Sequence, residues 1–328
     1  MIVSATAPGK LVVIGEYAVL EGAPALVMAV NRYCRAEVGP SGDDRNHLRT
    51  TSADRIVLEF MPGEPSGSAL VDLVLESVAC EEAWRGTLDT SDFFYAERKL
   101  GVGSSAAALV AWSAALSGFA RADAPPDLEG LVGIHRRFQG GRGSGLDIAA
   151  SLAGGLIEFR LGEGDRPRIA KTKLPDGVSF AAVYSGNPAR TGALVAAYEA
   201  WRAAEPSQAD AQLGPLTDVA NRGCAAASAN DSAAFLSAMA AYGRALEMLG
   251  ERIGADLVTA EHREISRHSE RSGVVYKISG AGGGDLGLAF SDDPDALAAF
   301  GEAVGETYRV IPMAISEEGL VVEERPSD

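Results

Sequence analysis

Short apolar runs separated by glycine and proline occupy the first part of the chain. Runs of this kind predict strands, because glycine and proline mark the turns at which strands end. The predicted strands are 2–7 (IVSATA), 11–14 (LVVI) and 25–30 (ALVMAV), and the polar segment 40–54 is predicted to be a turn region.

Apolar residues recur at helical spacing through much of the remaining chain, which predicts helices. These are 68–84, 104–120, 128–138, 146–154, 192–205, 208–228, 231–250, 255–271 and 292–305. Strands are predicted again at 180–184, 273–278, 286–290, 308–312 and 319–323. Strands that flank a group of helices in the second half favour an α+β class over a doubly wound parallel sheet.

A polar segment rich in glycine and proline, residues 161–179, is predicted to be a linker or a hairpin. The chain has 328 residues, and that length suits two domains of ordinary size. We therefore predict an N-terminal domain over residues 1–170 and a C-terminal domain over residues 171–328.

The net charge of −16 limits the partners that the chain can have. Phosphate backbones and anionic lipid surfaces repel an acidic protein, so we expect neither nucleic acid nor membrane as a partner. A local basic cluster can still bind a small anion. The uncharged segment 100–120 begins with glycines and serines and continues mainly with alanine, which predicts a buried helix rather than a membrane span.

Cysteine usage and the N-terminal sequence bear on the cellular compartment. The three cysteines are far apart and form no CxxC or Cys/His cluster, which disfavours a structural zinc site and favours a reducing compartment. The N-terminus MIVSATAPGK has neither the basic region nor the apolar region of a signal peptide. We expect a cytoplasmic protein.

Three segments are much richer in glycine than the rest of the chain: 7–22 (APGKLVVIGEYAVLEG), 99–107 (KLGVGSSAA) and 278–290 (ISGAGGGDLGLAF). A glycine-rich loop that leads into a helix exposes backbone N–H groups at the positive end of the helix dipole, which suits phosphate oxygens. One such loop can be a simple tight turn. Three of them between apolar runs favour a nucleotide site.

Two common nucleotide motifs fit the chain poorly. No GxxxxGK[ST] sequence is present, so a P-loop is not supported. Gly101, Gly103 and Ala106 match the relaxed dinucleotide pattern GxGxxA, which requires a preceding apolar strand and a suitably placed acidic residue. The preceding FFYAERK ends in charges, and Asp123 stands close to a double proline rather than at a strand end. An NAD-linked enzyme is therefore disfavoured.

The three segments, in this order and spacing, resemble motifs 1, 2 and 3 of the GHMP kinases. Motif 2 of the family reads PxxxGLGSSAA; here it is AERKLGVGSSAA, without the proline and with valine in place of leucine. Within the family, GEYAVLEG (15–22), GSGLDIAAS (143–151) and YSGNPARTGALV (184–195) are most similar to the phosphomevalonate kinases. The last segment lacks the tryptophan found there.

This resemblance implies a two-domain α+β fold, with an N-terminal domain like domain 2 of ribosomal protein S5 and a ferredoxin-like C-terminal domain. It implies ATP and Mg²⁺ as cofactors and a phosphorylated small molecule, (R)-5-phosphomevalonate, as the acceptor that becomes 5-diphosphomevalonate. It also implies a monomer or a homodimer. Two alternatives are a sibling kinase that acts on an unphosphorylated alcohol, such as mevalonate or a sugar, and a non-catalytic homologue that binds a metabolite.

The resemblance assigns the nucleotide phosphates to the second segment. The expected contacts are Gly101, Gly103, Ser104, Ser105 and Ala106. Ser105 is the expected Mg²⁺ ligand. Either Glu97 or Glu16 is expected to be the carboxylate that helps it.

Two residues are predicted to be catalytic. Asp147 follows GRGSG at the start of an apolar helical stretch and is expected to orient or deprotonate the acceptor. Its alternative role is to cap the helix. Lys10 follows Pro8-Gly9 and is expected to stabilise the transferring phosphoryl group, and its alternative is a solvated loop lysine.

Binding an acceptor that already carries a phosphate requires additional cations in an acidic protein. Lys99, Arg190 and Arg142 are the expected phosphate contacts, and surface ion pairs are the alternative for the two arginines. The other expected substrate contacts are Ser144, Gly282 and Gly283, the last two in the third segment, which is expected to close over the phosphates. His262 and His268 lie on a charged predicted helix and are expected to be solvated.

Overall fold

A computed structural model of the chain describes residues 1–52, 55–123, 125–162, 164, 166–189 and 191–327. Its strands are β1 (Ile2–Ile14), β2 (Ala25–Pro40), β3 (Asn46–Thr51), β4 (Arg55–Phe60), β5 (Trp84–Asp89), β6 (Phe94–Tyr95), β7 (Arg98–Lys99), β8 (Leu156–Leu161), β9 (Pro167–Thr172), β10 (Ser179–Tyr184), β11 (Val275–Ile278), β12 (Leu286–Ser291), β13 (Arg309–Ile311) and β14 (Val321–Arg325). Its helices are α1 (Ala69–Leu75), α2 (Ser104–Ala120), α3 (Leu128–Phe138), α4 (Leu146–Ala153), α5 (Thr191–Ala204), α6 (Pro206–Ser228), α7 (Ser232–Ile253), α8 (Ala260–Arg271) and α9 (Pro294–Gly305).

The chain divides into two compact units, each built from separate stretches of sequence. Unit 1 consists of Met1–Lys10, Ala29–Gly155 and Ile315–Asp328, and unit 2 consists of Leu11–Met28 and Leu156–Ala314. Both β1 and β2 therefore contribute residues to both units. The predicted domain boundary at residues 170 and 171 concerns contiguous domains and stays a prediction.

In unit 1 a sheet with strand order β14-β1-β2-β5-β3-β4 lies against helices. Most neighbours are antiparallel, but β3 runs parallel to β5. Helix α2 is buried along nearly its whole length. Its Trp112 packs edge-on against Trp84 of β5, with ring centroids 5.2 Å apart, and both indoles are fully buried. These large aromatic contacts fix the helix on the sheet.

Unit 2 contains a four-stranded antiparallel sheet with the order β13-β10-β12-β11. Helices lie between β10 and β11 and between β12 and β13, which gives the β-α-β-β-α-β succession of a ferredoxin-like arrangement. One core cluster joins the sheet to α8 and α9 through Val183, Ile265, Tyr276 and Phe300. In the same unit β8 pairs with residues 25–28 of β2 and with β9.

The predicted helices from residue 104 onwards are confirmed apart from small shifts at their ends, except that the helix predicted to start at residue 255 begins at Ala260. The prediction for 68–84 is wrong in its second half, because α1 ends at Leu75 and the apolar Trp84 enters β5. Likewise, the polar segment 40–54 contains β3, where Leu48 is fully buried. The segment 161–179 contributes to the β8–β9 hairpin, one of its two predicted forms.

The predicted break between the first two strands is also wrong, because β1 runs through residues 8 and 9. A Cβ at Gly9 would lie 2.6 Å from the Val102 carbonyl oxygen and 2.8 Å from the Phe93 ring. Glycine here therefore permits a close approach of two backbones rather than a turn.

None of the helices in the described part of the chain is long and apolar enough to cross a membrane. Cys34, Cys80 and Cys224 are free thiols. Burial raises the pKa of the Cys224 thiol to about 12, so this cysteine stays protonated at neutral pH.

Substitution of Gly86 is expected to destabilise unit 1. A Cβ at Gly86 would lie 2.8 Å from Trp112 Cη2 and 3.2 Å from the Glu37 carbonyl oxygen, so Gly86→Ala forces the buried indole to move. We expect the free energy of unfolding to fall by about 1–3 kcal/mol, the usual cost of overpacking. Urea unfolding followed by circular dichroism measures it.

Gly133→Ala is the matched control. Gly133 lies inside α3, and a Cβ added to it would have no other atom within 4 Å. Alanine should therefore raise the free energy of unfolding by about 0.5–1 kcal/mol through the helix backbone alone. Equal effects of the two substitutions would contradict the packing argument for Gly86.

Candidate active site

A tight hairpin brings the chain to the second glycine-rich segment. Phe94 of β6 pairs with Lys99 of β7, and the two turn residues Ala96 and Glu97 have φ of 45° and 66°. Two successive positive φ values at the centre of a two-residue turn match the twist of a hairpin. Glu97 is exposed at the tip of the turn, and Lys99 is exposed where the glycine-rich segment begins.

Helix α2 begins within this segment and has an open N-terminus. Gly103 is its N-cap residue, with φ 81°, and no side chain forms a cap hydrogen bond there. The N–H groups of Ser104, Ser105 and Ala106 belong to the first turn, where no carbonyl of the helix is available to them. Together with the helix dipole they make this end of α2 suitable for a phosphate.

The two predicted catalytic residues lie side by side in unit 1. The backbone N–H of Lys10 donates to the Val102 carbonyl at 2.8 Å, which aligns β1 with the glycine-rich segment. The Lys10 side chain then passes Gly103, where a Cβ would lie 3.0 Å from Lys10 Cγ. Its Nζ is 3.6 Å from Asp147 Oδ2, and the two side chains are 11% and 28% exposed. Lys10 is therefore not a solvated loop lysine.

Asp147 stands in the first turn of α4. The N-cap residue of this helix is Gly145, with φ 89°, and this residue has no side chain that could form a cap hydrogen bond. The alternative role of Asp147 as a cap is therefore not realised. Gly145 is required by packing, since a Cβ there would lie 2.5 Å from Val132. Ser144 is buried, and its Oγ accepts from the N–H of Leu146 at 3.4 Å.

A buried histidine that sequence reasoning did not assign to the site contacts Ser105. Nε2 of His135, on α3, is 3.3 Å from Ser105 Oγ, and the residue is only 4% exposed. The pKa of His135 is lowered, mainly by burial. The nearby Asp147 carboxylate opposes this shift, and Lys10 adds to it. The position of His135 on the buried face of α3, beside Leu131 and Val132, is the signal that could have revealed it.

The residues available for Mg²⁺ in unit 1 are few. In the described ranges, no group of three or more His, Cys, Asp and Glu side chains could hold a metal ion. Magnesium bound with nucleotide needs no such group, because phosphate oxygens and waters fill most of its coordination sphere. The Ser105 hydroxyl, at the open end of α2, fits a role as one protein ligand. Glu97 is exposed at the tip of the hairpin.

Two of the three predicted basic contacts lie among the described residues. Lys99 is exposed beside the glycine-rich segment, and Arg142 is exposed in the loop between α3 and α4. Arg190 lies outside the described residues.

In unit 2 the first glycine-rich segment forms a buried ion pair with the residue that directly precedes the third segment. Lys277 Nζ lies 2.5 Å from Glu16 Oε1, and both side chains are almost fully buried. The same carboxylate oxygen accepts from the Gly280 N–H at 3.3 Å. Burial lowers the pKa of Lys277, while Glu16 raises it. Glu16, one of the two expected helpers of Mg²⁺, is therefore engaged by Lys277, which sequence reasoning missed.

The third segment is tightly packed around its glycines. A Cβ at Gly282 would lie 2.4 Å from the Leu257 carbonyl oxygen, and the N–H of Gly283 donates to that oxygen at 2.8 Å. Asp285 Oδ1 accepts from the Ala189 N–H at 3.0 Å, as expected of a turn aspartate. The N–H of Gly283 is thus already used within the protein.

The expectation that His262 is solvated is wrong, since the residue is fully buried. Helix α8 is charged overall, yet His262, Ile265 and Ser269 recur at helical spacing and form its buried face. His262 Nδ1 is 2.7 Å from the Tyr276 hydroxyl, and its Nε2 is 3.0 Å from the Gly284 carbonyl oxygen.

Similar proteins are found both by sequence and by structure. No protein-family model matches the chain. A curated phosphomevalonate kinase from Streptomyces sp. (strain CL190) is 28% identical over 335 residues, which covers 87% of this chain and 89% of that protein. A curated mevalonate kinase from Archaeoglobus fulgidus is also 28% identical, over 287 residues that cover 85% of this chain and 89% of that protein.

Solved structures share the fold along nearly the whole chain. The Lin0012 protein from Listeria innocua has a TM-score of 0.85 at 24% identity, covering 99% of this chain and all of that one. Streptococcus pneumoniae phosphomevalonate kinase in complex with phosphomevalonate and AMPPNP has a TM-score of 0.78 at 19% identity, covering 95% of this chain and 99% of that one.

These comparisons confirm the predicted fold class and the predicted resemblance. The chain therefore has the two-domain α+β fold of the GHMP kinases and is similar in sequence, over most of its length, to phosphomevalonate and mevalonate kinases of that family.

Proposed function

We propose that this protein is a kinase of the mevalonate pathway that transfers the γ-phosphoryl group of ATP to (R)-5-phosphomevalonate, forming 5-diphosphomevalonate and ADP. The observation that carries the proposal is the Lys10–Asp147 pair, 3.6 Å apart, in the unit that also holds the open N-terminus of α2. The similarity to a phosphomevalonate kinase over 87% of the chain favours this acceptor.

Phosphoryl transfer requires that the phosphates be held, that their charge be neutralised and that the acceptor be aligned with the leaving oxygen. In the proposed enzyme, the first-turn N–H groups of Ser104, Ser105 and Ala106 hold the nucleotide phosphates, and Gly101 and Gly103 allow their close approach. Ser105 is the protein ligand for Mg²⁺. When bound, this ion neutralises charge on the phosphate oxygens.

Lys10 and Asp147 act on the reacting groups in this proposal. The Lys10 ammonium stabilises the negative charge of the transferring phosphoryl group. Asp147 orients the acceptor and takes its proton when it carries one. Lys10 also offsets the repulsion between the Asp147 carboxylate and an anionic acceptor, because it lies beside that carboxylate.

Lys99 is proposed as the main contact for the phosphate that the acceptor already carries, with Arg190 and Arg142 as further cations. Ser144, Gly282 and Gly283 are the other proposed substrate contacts. Among the described residues, no carboxylate pairs with the exposed Lys99 ammonium. It is thus available to an anionic ligand in a protein of net charge −16.

A second candidate is phosphorylation of an alcohol, mevalonate itself. It is favoured by the curated mevalonate kinases, one of which is 28% identical over 85% of the chain. The two candidates differ in whether the acceptor carries a phosphate before the reaction.

The first test is ADP release from MgATP with phosphomevalonate, mevalonate, galactose, homoserine or no acceptor. We expect turnover with phosphomevalonate and at least about 100-fold lower kcat/KM with the acceptors that carry no phosphate, because a charge-assisted contact is worth about 1.5–3 kcal/mol and several are proposed. Lys10→Met is the negative control. Preferred turnover of mevalonate would select the second candidate, and ATP binding without turnover on any acceptor would contradict a kinase.

The proposed base role of Asp147 predicts a pH dependence. The second pKa of a phosphate monoester is about 6, so the acceptor has usually lost its proton above pH 7 and needs a base mainly below pH 6. We expect Asp147→Asn to reduce kcat by about 10²–10⁴-fold at pH 5.5, the usual range for general-base catalysis. The deficit should shrink at pH 8, as shown by pH–rate profiles of both enzymes. A deficit that is the same at both pH values would assign Asp147 to orientation alone.

Lys99→Met tests the acceptor contact. We expect the KM for phosphomevalonate to rise about 10- to 100-fold with the KM for ATP unchanged, since one charge-assisted hydrogen bond is lost. Lys173→Met is the matched control, because Lys173 is an exposed lysine whose partner is Asp176 in unit 2. An equal rise in both KM values, or no rise for the acceptor, would argue against Lys99 as its contact.

A further inference from the structure

Three groups in unit 2 form a continuous buried chain of hydrogen bonds that ends at the third glycine-rich segment. The Tyr276 hydroxyl is 2.7 Å from His262 Nδ1, and His262 Nε2 is 3.0 Å from the Gly284 carbonyl oxygen. His262 is fully buried, and Tyr276 is 8% exposed. His262 belongs to none of the three glycine-rich segments.

The direction of each bond in this chain follows from the groups at its ends. A carbonyl oxygen only accepts, so His262 Nε2 carries the proton and donates to Gly284. In the neutral ring, Nδ1 then has no proton and accepts from the Tyr276 hydroxyl. Burial lowers the pKa of His262, which keeps the ring neutral at physiological pH. The Gly284 carbonyl thus fixes the tautomer that points an N–H at the glycine-rich segment, and the Tyr276 hydroxyl supports it by donating to Nδ1.

Simple packing does not explain why a histidine occupies this position. Its partner Tyr276 belongs to a core cluster whose other members, among them Val183, Ile265 and Phe300, are apolar. An imidazole buried there loses hydration that it regains only through its two hydrogen bonds, whereas an apolar side chain of similar size would have no such cost. The hydrogen bond from His262 to the Gly284 carbonyl explains why a polar side chain is buried at this position.

Two carbonyls of the segment 280–284 are held by side chains of the protein, and three of its N–H groups are open within the described part of the chain. The Ala281 carbonyl accepts from the Tyr17 hydroxyl at 2.7 Å, and the Gly284 carbonyl accepts from His262. Over the described residues, the backbone N–H groups of Ala281, Gly282 and Gly284 have no hydrogen-bond acceptor. Open N–H groups in a glycine-rich loop can donate to an anionic oxygen.

We propose that His262 is a positioning residue that holds the Gly284 carbonyl inside unit 2, so that the segment 280–284 offers N–H groups to an anionic oxygen of the substrate. The inference rests on the proposed function, in which this segment contacts a phosphorylated substrate. His262 itself does not touch the substrate; it acts through Gly284, and Tyr276 acts through His262.

The test compares His262→Leu, His262→Gln and Tyr276→Phe with the wild type, and uses His268→Leu, on the same helix, as the matched control. The first readout is hydrogen–deuterium exchange of peptides that cover residues 279–290, measured without substrate. The second is the split between the KM for phosphomevalonate, the KM for ATP and kcat.

For His262→Leu we expect at least about tenfold faster exchange in residues 279–290 and about 10- to 100-fold lower kcat/KM for phosphomevalonate, the usual result of losing a buried hydrogen bond. For His262→Gln both the exchange rate and kcat/KM should stay within about threefold of the wild-type values, because the glutamine amide can donate to the Gly284 carbonyl. For Tyr276→Phe both the exchange rate and kcat/KM should fall between those of the two His262 variants, since Nδ1 loses the donor that supports this tautomer. His268→Leu should match the wild type.

Unchanged exchange in residues 279–290 with only a lower melting temperature in His262→Leu would overturn the proposal and make His262 a core residue alone. If His262→Leu does not fold, faster exchange in Tyr276→Phe than in His262→Gln supports the proposal, and equal exchange overturns it. A wild type without activity on phosphomevalonate would refute the proposed function, while the exchange result, obtained without substrate, would still decide whether His262 positions the segment.

Discussion

The backbone hydrogen bond from the Lys10 N–H to the Val102 carbonyl, 2.8 Å long, is the contact on which the geometry of the candidate site in unit 1 depends. It requires Gly9, since any Cβ there would lie 2.6 Å from the same carbonyl oxygen. The contact aligns β1 with the segment that begins α2, so the Lys10 side chain passes Gly103 and ends 3.6 Å from Asp147. A strand, a helix N-terminus and a second helix N-terminus thereby contribute to one cluster. Rigid elements hold such a cluster more firmly than loops would.

Unit 2 organises its glycine-rich segment by a different means, with buried polar side chains rather than a strand contact. The Lys277–Glu16 pair is almost fully buried, and burying two charges is costly unless they are close and have further hydrogen bonds. Both conditions hold for Glu16 Oε1, because Lys277 also donates to the Ile278 carbonyl and this oxygen accepts from Gly280, whereas Glu16 Oε2 is buried without a partner among the described residues. With Tyr17 and His262 these groups fix the path of residues 280–284. Apolar side chains of similar volume could be buried there at a lower cost in free energy. The role of such a pair is therefore to specify one conformation rather than to add stability.

The overall charge sets a second constraint on the proposed activity. A net charge of −16 repels ATP and a phosphorylated acceptor at long range. Affinity for them must then come from short-range contacts: helix N-termini, open backbone N–H groups and a small number of cations such as Lys10 and Lys99. Short-range contacts select ligands by their geometry, because a phosphate forms these contacts only after it has entered the site.

The sequence by itself determined the helices from residue 104 onwards, the three glycine-rich segments, the α+β class and the resemblance to the GHMP kinases, because periodicity and turn residues act over a few positions. It also named Lys10 and Asp147, which the structure brings together, although they are 137 positions apart. Only the tertiary structure decided that β3 pairs with β5, that β1 continues through Gly9, and that Lys277, His135 and His262 lie against the glycine-rich segments. Strand pairing and the burial of polar side chains depend on partners distant in sequence. A lysine in VVYKI or a histidine in a charged helix therefore shows its role only when those partners are in place.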